Sequence, residues 1–171
     1  MTVPDQPDWR RERLHPGEWS PGKRLLRSIR DYQHAQGKRS PLARVIRAWA
    51  VFRHRFWSAV SGAEIPLNSQ IGGGLLIPHP NGIVIHPDAR IGANCLIFQQ
   101  VTLGTIATGG VPTVGHGVDI GAGARLLGPI VVGDGARVGA NAVVLSDIPS
   151  GATAVGIPAR CLMNTREGLT T

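Results

Sequence analysis

The stretch IPLNSQIGGGLLIPHPNG, residues 65–82, decides the fold. It divides into three hexapeptides that each begin with isoleucine, and the same spacing continues, with two interruptions, to Val144. An α-helix repeats about every 3.6 residues and an alternating strand about every two, so neither explains a period of six. A hexapeptide period is typical of a parallel β-helix. The positions that carry it are all Ile, Leu or Val: Ile65, Ile71, Ile77, Ile85, Ile91, Ile97, Leu103, Val114, Ile120, Leu126, Val132, Val138 and Val144.

Each hexapeptide predicts one short strand and a turn, and three of them make one coil of a prism. The aliphatic residue points inward and stacks on its equivalent in the next coil, where burial stabilises the fold by about 25 cal/mol per Å² of apolar surface. Four residues after most aliphatic positions comes a small or apolar side chain, which fits the tight interior near a corner. These residues are Ser69, Ala89, Cys95, Val118, Ala124, Ala136 and Ala142. Cys95 is therefore expected to be a core side chain.

The period breaks at two places, and each break is a candidate functional feature. The first adds two residues between Ile77 and Ile85, around His79, which lies between Pro78 and Pro80. The prolines restrict the backbone and so fix where the imidazole points. The second break follows Leu103, where residues 105–113 are predicted to leave the prism as a loop. Loops on a rigid scaffold are common positions for binding residues.

The rest of the chain divides around the prism. Residues 1–20 are predicted to be a flexible arm, and residues 21–62 a two-helix segment. Ser20-Pro21 and Ser40-Pro41 each combine an N-cap with proline at the first helical position, which predicts helices to about Gln36 and Val60. We expect their apolar faces to be buried on each other, on the prism or on another subunit. The β-helix is predicted to occupy residues 63–160, followed by a tail over residues 161–171.

The net charge of +7 is concentrated at the N-terminus. Residues 1–60 contain 13 Lys and Arg against 5 acids, and they also contain all four tryptophans. Such a segment suits contact with acidic membrane lipid or nucleic acid. The alternative is a solvated basic face on helices that pack against a partner subunit. No nucleic-acid motif accompanies the charge, so we expect no nucleic-acid partner. The polar start and the lack of a run of about 18 apolar residues predict a cytoplasmic protein.

His79 is the side chain most suited to catalysis, because the sequence contains no nucleophile or phosphate-binding motif. Glu64 precedes it by fifteen residues, which is nearly one coil, so the carboxylate is placed to orient the imidazole. An imidazole held in this way is a base near neutral pH that can deprotonate a hydroxyl. His86 is expected at a corner, and His116 is a further candidate to border the site. Three histidines on a β-helix are also a feature of the zinc site of the gamma class of carbonic anhydrases. That class needs a pair of histidines five residues apart in one coil, but Gly121 stands five after His116, so no metal is predicted.

From Glu64 to Arg160 the chain resembles the serine O-acetyltransferases of the hexapeptide acyltransferase superfamily. The resemblance is carried by HPNGIVI (residues 79–85), QVTLG (100–104), IGAGA (120–124) and VGIPAR (155–160). It implies a left-handed parallel β-helix, acetyl-CoA as cosubstrate, a role in cysteine biosynthesis, and a homotrimer. His79 matches the catalytic histidine of the family, and Glu64 matches the aspartate of its dyad. The residues that match the wall followed by CoA are Thr102, Gly104, Gly121, Ala124 and Ala142, with Arg160 placed to meet a phosphate.

The departures from the family pattern concern the acceptor. Pro78 replaces an acid before the histidine, and Gly110-Val111 replace an Arg-His pair that helps to hold serine in the family. The acceptor hydroxyl therefore remains open between L-serine, a sugar such as a polysaccharide unit or nucleotide sugar, and another small metabolite. The helical segment is shorter than the family's helical domain, which favours a trimer over a hexamer. A non-catalytic β-helix scaffold is the other alternative.

Overall fold

The computed structural model describes residues 5–162, which form two helices on one end of a parallel β-helix. The helical elements are a short 3₁₀ helix (Trp9–Glu12), α1 (Pro21–Ala35) and α2 (Pro41–Ser61). The strands are β1 (Gln70–Ile71), β2 (Val84–Ile85), β3 (Arg90–Ile91), β4 (Leu96–Ile97), β5 (Thr102–Gly104), β6 (Thr113–Val114), β7 (Asp119–Ile120), β8 (Arg125–Leu127), β9 (Val131–Val132), β10 (Arg137–Val138), β11 (Val143–Val144), β12 (Thr153–Gly156) and β13 (Ala159–Leu162).

The strands form three sheets, one for each face of the prism. Sheet 1 contains β2, β5, β8 and β11; sheet 2 contains β1, β3, β6 and β9; sheet 3 contains β4, β7, β10, β12 and β13. All pairings are parallel except that of β12 with β13. In a regular coil the chain returns to the same sheet after eighteen residues, as Val84 and Thr102 show. Glu64 and Val84 are twenty residues apart, so the two additional residues around His79 lie within one coil.

The interior follows the hexapeptide pattern. All thirteen aliphatic positions are buried, and so are the seven small or apolar positions four residues after them. The residue after an aliphatic position is often glycine because successive coils touch there. A methyl group at Gly92 would lie 2.5 Å from the carbonyl carbon of Gly115, closer than real side chains approach. The core therefore depends on backbone contact between coils as well as on aliphatic packing.

The edge where sheet 3 turns into sheet 1 is here called the histidine edge, and hydrogen bonds join its successive turns. It consists of residues 78–82, 98–101, 121–124 and 139–142. One residue of each turn is left-handed: Gly82, Gln100, Gly123 and Asn141, with φ between 57° and 72°. The backbone N–H of each donates to a carbonyl of the preceding coil at 2.7–2.9 Å. The sharp turn and the bond between coils thus come from the same residue.

The edge where sheet 1 turns into sheet 2 is here called the loop edge. At residues 66–69 and 86–89 the turn is closed within its own coil, by Ser69 N–H to Pro66 O and Ala89 N–H to His86 O. The predicted loop leaves here, over residues 105–112, because Thr113 already belongs to β6. The loop lies against the next coil, where a methyl group at Gly110 would meet the ring of Pro129.

α1 closes the open end of the β-helix. Leu25, Leu26 and Ile29 are buried in the same core as the first coil. The Arg30 guanidinium donates to the carbonyls of Ile71 and Gly72 at 2.6 and 2.7 Å. These carbonyls have no preceding coil to bind, and an unpaired buried backbone group would be destabilising. α1 therefore takes the place of a preceding coil.

The N-terminal arm, predicted as a flexible segment over residues 1–20, is described from residue 5 onward. Over residues 5–20 it lies on the first coils, where Asp8 N–H donates to the Asn94 side chain at 2.7 Å. The Glu12 carboxylate accepts from Leu75 N–H at 3.1 Å and pairs with Arg30 at 2.9 Å. The arm is held because its polar groups pair with polar groups of the first two coils.

α2 begins and ends where its capping residues predict. The Ser40 hydroxyl accepts from Ala43 N–H at 3.1 Å, and Gly62 is the left-handed residue after the last turn. The face of α2 that packs on α1 contains Ala43 and Ala50. The expectation that its large apolar face is buried is not met within the described chain. Those side chains are exposed: Leu42, Val45, Ile46, Trp49, Phe52, Phe56 and Val60.

The β-helix ends in a hairpin of β12 and β13, joined through a cis Ile157-Pro158 bond. β13 extends to Leu162, two residues past the predicted end of the β-helix. The remainder of the predicted tail, residues 163–171, lies outside the described residues.

The two cysteines differ in burial, which predicts a difference in reactivity. Cys95 is in the core, and burial raises the pKa of its thiol to about 11, whereas Cys161 on β13 is exposed. Because the thiolate is the reactive form, we expect Cys95 to resist a thiol reagent at pH 8. Ellman's reagent should therefore titrate one thiol in the native protein and two after denaturation. A Cys161→Ser variant that still gives one fast thiol would contradict the prediction.

Candidate active site

His79 lies on the histidine edge at the end of the first coil. Its turn is closed by Ile83 N–H donating to Pro80 O at 3.2 Å and by Gly82 N–H donating to Gly62 O at 2.7 Å. The imidazole is exposed. The proline-flanked turn therefore presents His79 outward from a rigid support, which is the position that a general base needs.

Glu64 lies at the start of sheet 1, next to the histidine edge. Its backbone is fixed, because Glu64 N–H donates to Ile83 O at 2.7 Å and Glu64 O accepts from Ile85 N–H at 2.9 Å. Its side chain is exposed. Within residues 5–162, neither the Glu64 carboxylate nor the His79 imidazole takes part in a hydrogen bond or an ion pair. The predicted contact between them stays a prediction.

Two of the predicted wall residues, Thr102 and Gly104, lie on β5 in sheet 1. Thr102 follows Glu64 and Val84 in one outward row, because Glu64 pairs with Val84 and Val84 pairs with Thr102. Neighbouring strands are about 4.8 Å apart, so Glu64 and Thr102 are about 10 Å apart along this row. The row connects the region beside His79 to the middle of sheet 1.

The predicted wall residues Ala124 and Ala142 lie beneath the surface of the histidine edge. Both side chains are completely buried. Their N–H groups donate to Gly121 O and Gly139 O, and their carbonyls accept from Thr102 N–H and Arg125 N–H. Because the fourth position of a hexapeptide faces inward, neither residue offers a side chain or an unused N–H to a ligand. The outward small residues at the same edge are Ala122 and Ala140.

The histidine edge forms a continuous stripe along the prism. Hydrogen bonds join its successive turns, which contain Asn81, Gln100, Gly123 and Asn141. These three steps between coils, at about 4.8 Å each, span about 14 Å. Gly121 lies on this stripe. Beyond it comes the β12–β13 hairpin, which carries the exposed Arg160. An extended ligand could thus run from His79 toward a cation at the far end.

Gln99 is a polar residue of this edge that sequence reasoning missed. Its side-chain oxygen is shielded from solvent and has no hydrogen-bond partner within the described chain. The hexapeptide pattern gives no signal for it, because Gln99 occupies a corner position whose side chain varies from coil to coil.

The other two histidines of the β-helix, His86 and His116, lie on its other two edges. His116 is at the corner between sheets 2 and 3, where its Nδ1 accepts from Ala93 N–H at 3.1 Å. It therefore supports two coils and does not border His79. His86 is at the loop edge, where its Nδ1 accepts from Asp88 N–H at 3.2 Å. Residues 5–162 contain no group of three His, Cys, Asp or Glu side chains arranged to hold a metal ion.

No family model matches the chain. It is 47% identical over 112 residues to the serine acetyltransferase of Helicobacter pylori, covering 63% of this chain and 64% of that protein. It is 45% identical over 106 residues to the serine acetyltransferase of Synechococcus elongatus, covering 60% of this chain and 43% of that protein. It is 44% identical over 117 residues to the serine acetyltransferase of Escherichia coli, covering 67% of this chain and 43% of that protein. The matched region thus spans 43–64% of the length of these relatives.

Solved structures give the same result for the fold. A soybean serine acetyltransferase apoenzyme matches with a TM-score of 0.70 and 37% identity, over 83% of this chain and 57% of that one. A serine acetyltransferase in complex with CoA matches with a TM-score of 0.70 and 35% identity, over 84% of this chain and 58% of that one. A serine acetyltransferase in complex with cysteine matches with a TM-score of 0.72 and 33% identity, over 86% of this chain and 60% of that one. In sequence and in structure the chain is therefore similar to the serine acetyltransferases, and its fold class is the left-handed parallel β-helix with N-terminal helices that the sequence predicts.

Proposed function

We propose that the chain is an acetyl-CoA-dependent O-acetyltransferase that acts on L-serine or on another small molecule with a hydroxyl group. The observation that supports this most is the exposed His79 on a rigid turn at one end of the histidine edge. The similarity to serine acetyltransferases, one of which is described in complex with CoA, supports the same chemistry.

In the proposed reaction His79 removes the proton from the acceptor hydroxyl. The oxygen attacks the thioester carbonyl of acetyl-CoA, the C–O bond forms, and the C–S bond breaks. The imidazolium then returns its proton to the departing sulfur, which yields free CoA and the O-acetyl ester. Glu64 would hold one nitrogen of the imidazole, which leaves the other nitrogen to act as the base. No acyl-enzyme is formed.

The histidine edge would bind the CoA arm. Gly121, Ala122 and Ala140 present little side chain along the stripe, so an extended arm can lie close to the backbone. Thr102 and Gly104 would border it from sheet 1, and Arg160 would meet a phosphate near the hairpin. We assign Ala124 and Ala142 a packing role beneath this wall, in place of direct contact.

We also propose a homotrimer in which one copy completes the site of its neighbour. His79 and the loop over residues 105–112 lie on opposite borders of sheet 1, with the whole of β5 between them. A site that uses both the base and the loop of a single chain would therefore have to cross a prism face. Placing the loop edge of one copy beside the histidine edge of the next brings the two together.

The loop favours an acceptor with little charge. Residues 105–112 contain no charged side chain, so a zwitterion would find no ion pair in this segment. The serine acetyltransferase relatives favour L-serine. These two arguments point to different acceptors, and one assay separates them.

The assay measures release of free CoA from acetyl-CoA by the purified chain, with L-serine, homoserine, sugars and nucleotide sugars. Saturable release with L-serine would assign serine O-acetylation and would mean that groups other than an Arg-His pair bind the amino acid. Saturable release with a sugar alone would assign a different acceptor to the same base and edge. Absence of both CoA binding and release with every acceptor would favour the scaffold alternative.

Replacing Glu64 with glutamine tests the proposed dyad. We expect turnover to fall, but by less than for His79→Ala, because the base remains and only its orienting charge is lost. Glu64→Asp is the matched variant, since it restores the charge, and it should recover part of the rate. An unchanged rate would remove Glu64 from the proposed dyad.

A further inference from the structure

The exposed face of α2 is a large apolar surface without a partner in the described chain. Its members are spaced three and four residues apart, so they lie on one side of the helix, which is here called the α2 stripe. Trp49 is 56% exposed and Phe52 is 62% exposed, and their rings stack at 5.5 Å. The stripe consists of Leu42, Val45, Ile46, Trp49, Phe52, Phe56 and Val60. A continuous apolar surface of this kind indicates a binding site.

The charge around the stripe has one sign. α2 contains four arginines and no acid. Arg44 and Arg55 are exposed along one side of the stripe, and Lys38 and Arg39 are exposed just before the helix. Residues 21–62 as a whole contain ten Lys and Arg against one acid, Asp31, which is already paired with Arg53 at 2.6 Å. The partner of this surface must therefore supply both apolar contact and negative charge.

A surface depression adjoins the start of the stripe. It is lined by Gly37, Lys38, Arg39, Arg44 and Arg47, so four cations and no acid face it, and its volume is about 540 Å³. Such a depression suits a phosphate-bearing head group. The same helix would thus contact the charged head groups at the depression and the acyl chains beneath the stripe.

We propose that α2 docks the protein onto the surface of an anionic phospholipid membrane. A helix with aromatic and aliphatic residues on one face and arginines beside it binds in the plane of the interface. Neither α1 nor α2, the two α-helices of residues 5–162, is long and apolar enough to span a bilayer. The contact is therefore superficial, and it depends on both apolar burial and attraction to lipid charge.

Two other occupants fit the surface less well. A second copy that paired its own α2 stripe in a two-fold contact would bring the same uncompensated arginines together, which is unfavourable. A nucleic acid would match the charge but would leave the side chains of Leu42, Val45 and Phe52 without apolar contact. Charge and apolar character together favour a lipid surface.

Vesicle flotation tests the proposal with the full chain. We expect it to float with vesicles of phosphatidylcholine and phosphatidylglycerol, and far less with phosphatidylcholine alone. Raising the ionic strength from about 0.1 M to about 1 M shortens the screening length from about 10 Å to about 3 Å, so binding should weaken.

Two double variants separate the apolar and charged contributions. Val45→Ser/Phe52→Ser should weaken partitioning by at least about 10-fold, because both side chains are exposed and their loss removes only membrane contact. Its matched control is Val131→Ser/Leu145→Ser, with similarly exposed side chains on the β-helix, which should partition like the wild type. Arg44→Gln/Arg55→Gln should weaken partitioning by roughly 10- to 30-fold, given about 1 kcal/mol for each surface cation. Arg90→Gln/Arg137→Gln removes the same charge from the β-helix and should have little effect.

Three results would overturn the proposal. The first is a wild-type chain that does not float with anionic vesicles. The second is flotation that the α2 variants and their controls retain equally. The third is a different partner in the absence of vesicle binding. A larger assembly in light scattering that is lost in Val45→Ser/Phe52→Ser would assign the stripe to a second copy. A mobility shift of duplex DNA would assign it to nucleic acid. Acetyl transfer is measured separately, so its failure would not be mistaken for failure of docking.

Discussion

Replacing His79 with alanine is expected to lower turnover by about 10²- to 10⁴-fold, the usual contribution of a general base. The change removes the only group proposed to take the acceptor's proton. It should leave the fold intact, because the imidazole is exposed and makes no hydrogen bond within the described residues. The affinity for CoA should also be kept, since the proposed wall for its arm is built from other residues along the edge.

Turnover is measured as release of free CoA with the best acceptor, and affinity by calorimetry with CoA alone. His116→Ala is the matched control, because its imidazole lies at the corner between sheets 2 and 3, away from both the histidine edge and the loop edge. It should keep most of the turnover. If His79→Ala lost CoA binding together with activity, His79 would have a structural role. If it kept full activity, another group would be the base.

Replacing Arg30 with methionine is expected to lower the free energy of unfolding by about 3 kcal/mol, the lower end of the effect of removing one partner of a buried ion pair. The pair with Glu12 is largely shielded, with side-chain exposures of 19% and 9%. The change leaves Glu12 without its cation, and it also removes the donor to two carbonyls of the first coil. The carbonyls of Ile71 and Gly72 would then lose the guanidinium that donates to them.

Chemical denaturation measures this effect. Glu12→Gln/Arg30→Met should be less destabilised than the sum of the two single variants, because removing both partners leaves no unpaired charge. Arg53→Met is the matched control, since it breaks the more exposed pair with Asp31 and should cost about 1 kcal/mol or less. An equal loss for Arg30→Met and Arg53→Met would mean that α1 does not close the prism through Arg30.

The sequence predicts the β-helix well because each coil contacts mainly its neighbours, so the information lies in a short repeat. Every aliphatic position that defines the period is buried. The two additional residues around His79 appear as the twenty-residue separation of Glu64 and Val84. The ends of α1 and α2 lie within a residue or so of their capping signals, since those signals act on the backbone next to them.

Features that depend on distant parts of the chain are not visible in the repeat. Asp8 bonds to Asn94 across 86 residues, so nothing in the charged, proline-containing arm indicates that it packs on the prism. His116 resembles a site residue in the sequence, yet it lies at another corner. Ala124 and Ala142 were placed on the CoA wall by resemblance alone, whereas their hexapeptide position faces inward.

The loop over residues 105–112 leaves the prism at the loop edge, and this has a consequence for protein engineering. At the loop edge the chain already tolerates residues 105–112 while Thr102 and Arg125 stay paired on sheet 1. A foreign peptide, such as an epitope or a sensor sequence, should therefore be accepted there, and natural changes of length at this position would alter specificity without rebuilding the scaffold.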